Sequence, residues 1–363
     1  MKIAIIGAGI AGFSAGQALA KKGHEVHVFE KSRGVGGRMA TRYSDESAEH
    51  RFDHGIGFFS VQSEAFAKQV DHWSAKDLVK HWGEHAYRLG SEDQKIPFLE
   101  TLSSSQRASK QWFTSTQGMN RLGKEMSRMV HVHPNAHVSG LTFYGGDAHE
   151  QKKKKPWLIN FRDSNMVEAD AVIVATPAPQ AYGILNTCHD EVDTYKIIRE
   201  IDVVKYLPTF TVMALVDSSK TVPWSTLLMD SPTLQLISNE SVKHDYRVGG
   251  GEEEPIRFVL HSTHKAAEKA VNTINREIVW PQLQAQLLKE ASYILGDWIQ
   301  HPLWSQSHAW RYAECENPLK VPYLTNGRKE APLAVVGDYF QGSSVEDAYL
   351  SGIACAENEL FNS

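Results

Sequence analysis

Apolar runs of strand length alternate with longer amphipathic segments at the beginning of this chain. Ile3–Ile6 is a continuous apolar run, which is typical of a buried strand in a parallel sheet. The next segment, from Ala11 to Lys22, has helical character, and His24–Glu30 is a second strand-like run. This order of strand, helix and strand predicts a β–α–β unit and therefore an α/β fold.

Further apolar patterns occur along the rest of the chain. Four segments are predicted to be strands near the β–α–β unit: His131–Phe143, Trp157–Arg162, Ala169–Pro177 and Leu333–Val336. Thr209–Val216 and Arg257–His261 are predicted to be strands of a second sheet, and Ser63–Trp73 has helical character. Glu277–Ile299 is predicted to be a long amphipathic helix whose apolar stripe packs in a core; the stripe comprises Leu283, Leu287, Leu288, Ala291, Ile294 and Leu295.

Glycine spacing after the first strand predicts a dinucleotide site. Gly7, Gly9 and Gly12 form the pattern GxGxxG between the first strand and the first helix. The first glycine permits a sharp turn, the second lets a pyrophosphate approach the backbone, and the third lets the helix pack closely on the strand. Glu30 ends the second strand, where a carboxylate can receive ribose hydroxyls.

A second glycine turn distinguishes two kinds of dinucleotide. Gly34, Gly36, Gly37 and Arg38 follow Glu30 almost immediately. Adjacent glycines bring backbone amides close to an anion, and an arginine offers phosphate a planar fork of donors. A nicotinamide dehydrogenase does not need this second turn, whereas a longer, buried FAD does. The alternative is a surface hairpin with a solvated arginine.

Composition and charge exclude several other classes of protein. The 363 residues carry a net charge of −5, which argues against a nucleic-acid partner. The lysine run at 152–155 is interpreted as a solvated hairpin tip. No apolar stretch approaches the ~20 residues of a membrane span. The three widely spaced cysteines, Cys188, Cys315 and Cys355, indicate free thiols, no metal site and a cytoplasmic location.

The sequence resembles renalase and its bacterial relatives, within the amine-oxidase and glutathione-reductase-like flavoproteins. The resemblance starts in E-K-x-R-G-x-G-G-R-M-A-T-R, continues at Phe52–Gly55, and returns at Gln117–Asn120 and His308–Ala313. The closing segment VGDYFQGSSVEDAYLSG, from Val336 to Gly352, resembles the last flavin motif of the group. The chain departs from the renalase pattern where Gly57 and Phe58 replace a glutamine and a tyrosine.

The motifs and the resemblance together imply non-covalent FAD and a set of residues that hold it. Asp338 is expected to accept a hydrogen bond from the ribityl chain, and the helix that starts near Val345 is expected to place its amide end under the flavin ring. The predicted cofactor-binding residues are Gly7, Gly9, Ala11, Gly12, Glu30, Lys31, Gly36, Gly37, Arg38, Met39, Gly55, Ile56, Val138, Thr176, Gly337, Asp338, Ser344, Val345 and Ala348.

The resemblance further implies oxidation of a small reduced substrate, a dihydronicotinamide or an amine, with dioxygen reoxidising the flavin to give hydrogen peroxide. The residues expected to face the substrate are His54, Gly57, Phe58, Trp310 and Tyr312. Two alternatives remain open. One is a non-catalytic flavin-binding protein, and the other is a flavoenzyme of another class, either a desaturase or an NAD(P)H-dependent hydroxylase.

The positions of the motifs predict the domain organisation. They fall at the beginning, the middle and the end of the chain, so the FAD-binding domain is expected to be discontinuous, with residues 1–60, 108–177 and 319–363. This domain is predicted to have the Rossmann-like fold of the glutathione-reductase type. Residues 61–107 and 178–318 are then expected to form an α+β substrate domain on a mainly antiparallel sheet.

Overall fold

A mainly parallel sheet and a mainly antiparallel sheet organise the chain. The computed structural model describes residues 1–362 apart from 45–49, 83–85, 90–111, 145–154, 189–191, 218–221, 223 and 244–254. Most of the lysine run at 152–155 and the acidic segment at 248–254 lie outside the described residues.

The strands and helices of the described residues follow one another along the chain in irregular alternation. The strands are β1 Lys2–Ile6, β2 Glu25–Phe29, β3 Thr41–Tyr43, β4 Arg51–Asp53, β5 Phe59–Ser60, β6 Lys80–Trp82, β7 Ala86–Leu89, β8 Trp112–Thr114, β9 His131–His133, β10 Val138–Phe143, β11 Trp157–Phe161, β12 Met166–Ala169, β13 Ala171–Val174, β14 Tyr206–Val216, β15 Thr226–Met229, β16 Leu234–Asn239, β17 Ile256–Ser262, β18 Trp304–Cys315, β19 Leu324–Thr325 and β20 Leu333–Val335. The α-helices are α1 Ile10–Lys21, α2 Glu64–Ala75, α3 Asn120–Met126, α4 Ala178–Leu185, α5 Val192–Asp202, α6 Glu240–Lys243, α7 His264–Asn272, α8 Arg276–Leu295 and α9 Val345–Ala356.

The chain divides into two units. Unit 1 comprises Met1–Arg38, Asn120–Lys205 and Cys315–Ser363, and unit 2 comprises Met39–Met119 and Tyr206–Glu314. The motif positions place residues 39–60 and 108–119 in the cofactor domain and residues 178–205 and 315–318 in the substrate domain. The observed boundaries therefore differ from the predicted ones at these segments, and the roles assigned to the two domains stay predictions.

Unit 1 contains a six-stranded sheet in the order β19-β20-β13-β1-β2-β9. All neighbouring pairs are parallel except β19 and β20, and Ile3 in β1 lies between Ala171 and Val26. Residues 3–6 of β1 and all of β13 are apolar and buried, as expected where helices cover the faces of such a sheet. Strands β10, β11 and β12 form a separate antiparallel sheet. This arrangement confirms the predicted Rossmann-like α/β fold.

Helix α1 packs against helix α9 in unit 1. A Cβ atom on Gly352 of α9 would lie only 2.3 Å from the carbonyl oxygen of Ala11 in α1. The hydroxyl of Ser14 in α1 donates to the carbonyl oxygen of Tyr349 in α9 at 2.9 Å. Because small residues let the two backbones approach so closely, the last long helix of the chain is fixed on the first.

Unit 2 contains a six-stranded sheet in the order β18-β14-β17-β16-β15-β7. The pairs β14–β17, β17–β16 and β16–β15 are antiparallel, and β15–β7 is parallel. Helix α8 packs its predicted apolar stripe into the core beside Phe210, Phe258 and Leu260 of the sheet. These observations confirm the mainly antiparallel sheet and the buried face of the long helix.

One predicted strand is wrong in its extent. The segment His131–Phe143 is two strands, β9 and β10, which belong to different sheets. Between them Asn135 has a φ of 57°, in the left-handed region that ends an extended strand. The amide of Ala136 then donates to the carbonyl oxygen of Glu30 at 2.8 Å. Hydrophobic periodicity could not reveal this break, since both halves are strands.

Two further observations bear on the chemistry that the chain can support. Cys188, Cys315 and Cys355 are all buried. Within the described ranges we find no group of metal-ligating side chains and no helix with the length and hydropathy of a membrane span.

Candidate functional site

The first glycine turn of unit 1 leaves open space at one of its three glycines. A Cβ atom on Gly7 would lie 2.7 Å from the carbonyl oxygen of Ala175, and one on Gly12 would lie 2.2 Å from the carbonyl oxygen of Gly7. Gly7 also has a φ of 111°, which favours glycine. A Cβ atom on Gly9 would meet no atom within 4 Å. Gly7 and Gly12 are therefore required by packing, whereas the backbone at Gly9 is open to an approaching group.

Glu30 lies directly after β2 with its carboxylate anchored by two backbone amides. The amide of Ala8 donates to Oε2 at 3.0 Å, and the amide of Ser32 donates to Oε1 at 2.8 Å. The residue is 8% exposed. Since each carboxylate oxygen can accept more than one hydrogen bond, both keep acceptor capacity for hydroxyl donors. The carboxylate is thus fixed beside the first glycine turn.

The second glycine turn packs directly on the first. The amide of Gly36 donates to the carbonyl oxygen of Ala8 at 2.8 Å. A Cβ atom on Gly37 would lie 3.3 Å from the Cα of Gly9. Gly36 and Gly37 have φ values of 111° and 56°, so both adopt backbone conformations that favour glycine. The two turns form one glycine-rich surface.

Arg38 and Asp338 form a two-pronged ion pair at the edge of that surface. Nη1 of Arg38 donates to Oδ2 of Asp338 at 2.6 Å, and Nη2 donates to Oδ1 at 2.5 Å. The sequence motifs predict that Arg38 contacts phosphate and that Asp338 contacts a ribityl hydroxyl. The structure joins the two side chains to each other, and their contacts with a cofactor stay predictions.

The strand β20 delivers Gly337 and Asp338 to the same end of the sheet. A Cβ atom on Gly337 would lie 2.4 Å from the ring of Tyr339, whose hydroxyl donates to the carbonyl oxygen of Thr176 at 3.2 Å. The hydroxyl oxygen of Thr176 is buried and has no hydrogen-bond partner in the described part of the chain. An unpartnered buried hydroxyl is costly, so this position suits a bound polar group.

Helix α9 begins within the closing segment Val336–Gly352. Ser344 caps the helix by accepting from the amide of Asp347 at 3.1 Å, and the carboxylate of Asp347 accepts from the amide of Ser344 at 2.9 Å. This reciprocal capping box defines where the helix begins. Val345 and Ala348 lie buried in its first turns.

The remaining predicted cofactor residues fall in both units. Ala11 and Val138 are buried in unit 1, at the beginning of α1 and β10, and Lys31 is exposed. Met39, Gly55 and Ile56 belong to unit 2. The other predicted cofactor residues come from separated segments of the chain, and all of them belong to unit 1. The open backbone at Gly9, the anchored Glu30 carboxylate and the orphaned Thr176 hydroxyl fit a dinucleotide.

Unit 2 brings two of the predicted substrate-facing residues together. The ring of His54 stacks on Trp310 with centroids 5.2 Å apart, and the indole N–H of Trp310 donates to the carbonyl oxygen of His54 at 2.9 Å. His308 packs edge-on against both rings, at 5.0 Å from His54 and 4.4 Å from Trp310. We call His54, His308 and Trp310 the His–Trp cluster.

The His–Trp cluster is electrically neutral near pH 7. Burial, followed by the charges of His308, Arg42 and His261, lowers the pKa of His54 to about 3. Burial and the charge of Arg42 lower the pKa of His308 to about 4. Neither imidazole is a cation at neutral pH. His54 can therefore donate and accept hydrogen bonds there, but it does not act as a general acid.

The other predicted substrate-facing residues have different neighbours. The ring of Phe58 stacks on Trp112 with centroids 4.5 Å apart, and Tyr312 contacts Tyr206 at 5.5 Å. The carbonyl oxygen of Gly57 accepts from the hydroxyl of Thr114 at 2.7 Å. These contacts direct all three residues to partners outside the His–Trp cluster.

The buried side chains of Asp53, Glu240 and Lys243 form an ion cluster close to Gly57. The sequence patterns do not predict this cluster. Nζ of Lys243 is 2.5 Å from Oδ2 of Asp53 and 3.4 Å from Oε2 of Glu240, and all three side chains are buried. A Cβ atom on Gly57 would lie 3.3 Å from this Nζ. Asp53 belongs to the motif Phe52–Gly55, but nothing in the spacing of Glu240 and Lys243 indicated that they would meet it.

Arg42 is a second residue that the sequence motifs did not single out. It pairs with Phe52 across the β3–β4 ladder, and its positive charge contributes to the low pKa of both His54 and His308. Its Nε is buried without a hydrogen-bond partner in the described residues. The indication of Arg42 in the sequence is its position four residues after Arg38, in the segment G-G-R-M-A-T-R.

Comparison with known proteins identifies the class to which this site belongs. Residues 81–358 match the flavin containing amine oxidoreductase family, and residues 5–73 match the NAD(P)-binding Rossmann-like domain. The chain belongs to the flavin containing amine oxidoreductase family. It is accordingly a flavin-dependent oxidoreductase.

One similar protein matches a short segment of the chain, and two solved structures align over nearly its whole length. A 4,4'-diapophytoene desaturase of Staphylococcus aureus is 59% identical over 39 residues, which are 11% of this chain and 8% of the desaturase. Cyclohexylamine oxidase from Brevibacterium oxydans aligns with a TM-score of 0.66 and 12% identity, covering 98% of this chain and 97% of the oxidase. An oxidoreductase from Methanosarcina mazei aligns with a TM-score of 0.63 and 16% identity, covering 99% and 100%. At these identities the structural alignments show the shared fold.

Proposed function

We propose that unit 1 binds FAD non-covalently and that the chain oxidises a small reduced substrate, either a dihydronicotinamide or an amine. The observation that carries the proposal is the joined pair of glycine turns beside the anchored carboxylate of Glu30. A single turn serves a nicotinamide cofactor, whereas the second turn and the closing Gly337–Asp338 segment extend the surface along a longer ligand.

The residues of unit 1 divide the binding of FAD among them. Glu30 receives ribose hydroxyls, and the backbone at Gly9 admits the pyrophosphate toward the positive end of α1. The pair Arg38–Asp338 supplies donors and acceptors for the polar chain of the cofactor. Ser344 fixes the beginning of α9, whose first amides favour negative charge nearby. Contacts within the protein hold each of these groups in place for the cofactor.

When bound, FAD would provide a hydride-accepting N5 and a route for the electrons to dioxygen, with hydrogen peroxide as the product. In unit 2, the His–Trp cluster binds the substrate. Trp310 provides an aromatic wall for a planar ring, and His54 supplies a neutral imidazole for hydrogen bonding. A substrate that carries its reducing electrons on a ring or amine nitrogen does not require a strong base. The resemblance to renalases implies the dihydronicotinamide class, but Gly57 and Phe58 depart from the renalase pattern, so both substrate classes belong to the proposal.

Two alternatives are weaker. The similarity to the desaturase covers only 39 residues, which supports a nucleotide site and gives no support to carotenoid substrates. A non-catalytic flavoprotein would have no need for a neutral histidine pair stacked on an indole, although such a pair can also serve packing.

Anaerobic mixing tests the proposal directly. Purified holoprotein is mixed with α-NADH, β-NADH, dihydronicotinamide isomers and a series of amines, and the bleaching of flavin absorbance is followed. We expect one class to bleach the flavin rapidly and colour to return with hydrogen peroxide when air is admitted. Denaturation should release FAD into the supernatant.

The outcomes separate the alternatives. Bleaching by no member of the panel, in protein that chemical reductants still bleach, would favour the non-catalytic alternative. Bleaching by NAD(P)H that depends on an aromatic acceptor substrate would favour a hydroxylase. Flavin that stays with the denatured chain would contradict non-covalent binding.

A further inference from the structure

Arg42 lies on the β3–β4 hairpin that leads directly to His54. Arg42 pairs with Phe52, and His54 follows the end of β4 at Asp53. The charge of Arg42 contributes to the low pKa of His54, after burial and His308, and to the low pKa of His308, after burial. The guanidinium therefore adjoins the His–Trp cluster.

Polar atoms of these two residues lack partners. Nε of Arg42 and Nδ1 of His54 are both buried, and neither has a hydrogen-bond partner among the described residues. His54 as a whole is only 4% exposed. Buried donors and acceptors are costly when unsatisfied, by roughly 1–3 kcal/mol each. These two atoms leave hydrogen-bonding capacity that a bound polar group can satisfy.

The carboxylate of Asp53, which pairs with Thr41 on the hairpin, is committed to other groups. It is engaged by Nζ of Lys243 at 2.5 Å, by the hydroxyl of Thr41 at 2.6 Å and by the amide of Met119 at 2.8 Å. Arg42 forms no ion pair within the part of the chain that the structure describes. Since His54 and His308 are neutral, the guanidinium of Arg42 contributes a positive charge beside them, which attracts anions.

Trp310 supplies a fixed aromatic surface at the same place. Its indole N–H is committed to the carbonyl oxygen of His54, and its ring stacks on the imidazole of His54. These two contacts fix both the position and the tilt of the ring. A planar ligand ring can stack at such a surface without ordering it first.

From these observations we propose that Arg42, together with His54, His308 and Trp310, forms the recognition site for the anionic group of a planar substrate. The group is a carboxylate or a phosphate, held by the guanidinium, while the ring of the same molecule stacks at Trp310. This inference rests on the proposed oxidase function for its biological meaning, and it narrows the substrate to an anion. Simple cationic amines are disfavoured, because Arg42 repels them.

Binding of four small probes to the holoprotein tests the site without turnover. Benzoate and phenyl phosphate carry the two candidate anions on one ring, benzamide is the neutral counterpart of benzoate, and benzylamine is cationic. Calorimetry gives the affinities, and quenching of tryptophan fluorescence reports contact with an indole. We expect benzoate or phenyl phosphate to bind at least about 10-fold more tightly than benzamide, and benzylamine most weakly.

Variants assign the affinity to Arg42. Arg42→Gln should weaken binding of the anionic probes about 10- to 100-fold and leave benzamide nearly unchanged. Arg42→Lys should recover part of the loss, since it restores charge but not the planar fork. Arg88→Gln is the matched control on an exposed position of β7, and it should have no effect. Flavin content and circular dichroism confirm that each variant is folded.

The outcomes are distinct from those of the oxidase proposal. Equal affinity for benzoate and benzamide, or full anion affinity in folded Arg42→Gln, would overturn the site. If Arg42→Gln fails to fold, the salt dependence of benzoate binding to the wild type decides, because an ion pair weakens with ionic strength and a neutral contact does not. Anion binding without flavin bleaching by any substrate would leave this site standing and reject the oxidase, and rapid bleaching without anion binding would do the reverse.

Discussion

Arg38 and Asp338 are separated by 300 positions in the sequence and are joined by two parallel hydrogen bonds of 2.6 and 2.5 Å. The pair fixes the second glycine turn to the closing segment Val336–Gly352. Asp338 is 4% exposed at its side chain and Arg38 is 22% exposed. A charge pair in this setting is strong because the fork of arginine matches the carboxylate and little water competes.

Replacing Arg38 by alanine should lower FAD occupancy. The change removes a donor fork from the cofactor surface and leaves the nearly buried carboxylate of Asp338 without its partner. We expect the purified variant to show a lower ratio of flavin to protein absorbance and a loss of roughly 1–3 kcal/mol in unfolding free energy. Arg128→Ala, at an exposed i,i+3 pair, is the control. Wild-type flavin content in Arg38→Ala and in Glu30→Ala would contradict the cofactor assignment.

Two glycines of the first turn should respond differently to alanine. At Gly12 the added Cβ would lie 2.2 Å from the carbonyl oxygen of Gly7, so Gly12→Ala should destabilise the fold by about 1–3 kcal/mol or more. At Gly9 the space is open, so Gly9→Ala should fold normally and lose FAD affinity. Thermal unfolding of flavin-stripped protein and FAD titration separate the two effects. A stable Gly12→Ala, or full FAD affinity in Gly9→Ala, would contradict these roles.

Lys243→Met should be strongly destabilising. It removes the ammonium group that pairs with the buried carboxylates of Asp53 and Glu240, and removing one partner of a buried ion pair typically costs about 3–5 kcal/mol. Urea unfolding measures the loss. Lys68→Met, at an exposed pair of α2, should change stability by less than about 1 kcal/mol. The double variant Lys243→Met with Asp53→Asn should recover part of the stability, since it removes one of the stranded charges.

Acid should destabilise the protein partly through His54. Its pKa is lowered from 6.5 to about 3 in the folded state, so the unfolded state takes up a proton first as the pH falls below 6.5. Stability from this group is intact above that pH and falls by about 2 kcal/mol by pH 5. His54→Gln should therefore lose less stability between pH 7.5 and pH 5 than the wild type. The exposed His72→Gln should follow the wild type, and parallel pH profiles for all three proteins would contradict the argument.

The pair of His264 and Glu314 should stabilise unit 2 at low pH, and this contribution should disappear as the pH rises. The hydrogen bond with Glu314 raises the pKa of His264, and the carbonyl oxygen of Pro208 accepts from its Nδ1 at 2.9 Å. A raised histidine pKa stabilises the fold below the unfolded value of 6.5, and this contribution is lost as the pH rises through the folded pKa. Glu314→Gln should cost about 0.5 kcal/mol at pH 5.5 and nothing at pH 9, measured by thermal unfolding. An equal loss at both pH values would show that the pair does not act through the histidine charge.

The strength of the local signals explains what could be predicted from the sequence. Gly7 and Gly9 follow a buried strand and Gly12 lies in the first turn of α1, so their spacing predicts both the β–α–β fold and a nucleotide site. The apolar stripe of α8 likewise reports its own burial, because its period is that of a helix. Local pattern and tertiary structure agree at these elements.

Contacts between distant charged residues could not be predicted in the same way. The sequence around Arg38 predicts a phosphate contact, because it gives no information about a carboxylate 300 positions away. Lys243 lies in a four-residue helix with no distinctive spacing, and its partner Asp53 is 190 positions distant. One-dimensional patterns specify which face of an element is buried, but they do not specify which buried ions meet.

The close packing of α1 on α9 has a consequence for biosynthesis. Strand β1 has β13 as a neighbour, β13 has β20, and the hydroxyl of Ser14 reaches a carbonyl 335 positions later. The nascent amino-terminal segment can therefore finish its own sheet only after nearly the whole polypeptide has left the ribosome. At about 5–20 residues per second, helix α1 waits on the order of 15–70 s after its own synthesis for its contacts with α9. The face of α1 that α9 covers therefore stays exposed for most of the time that the chain is being made.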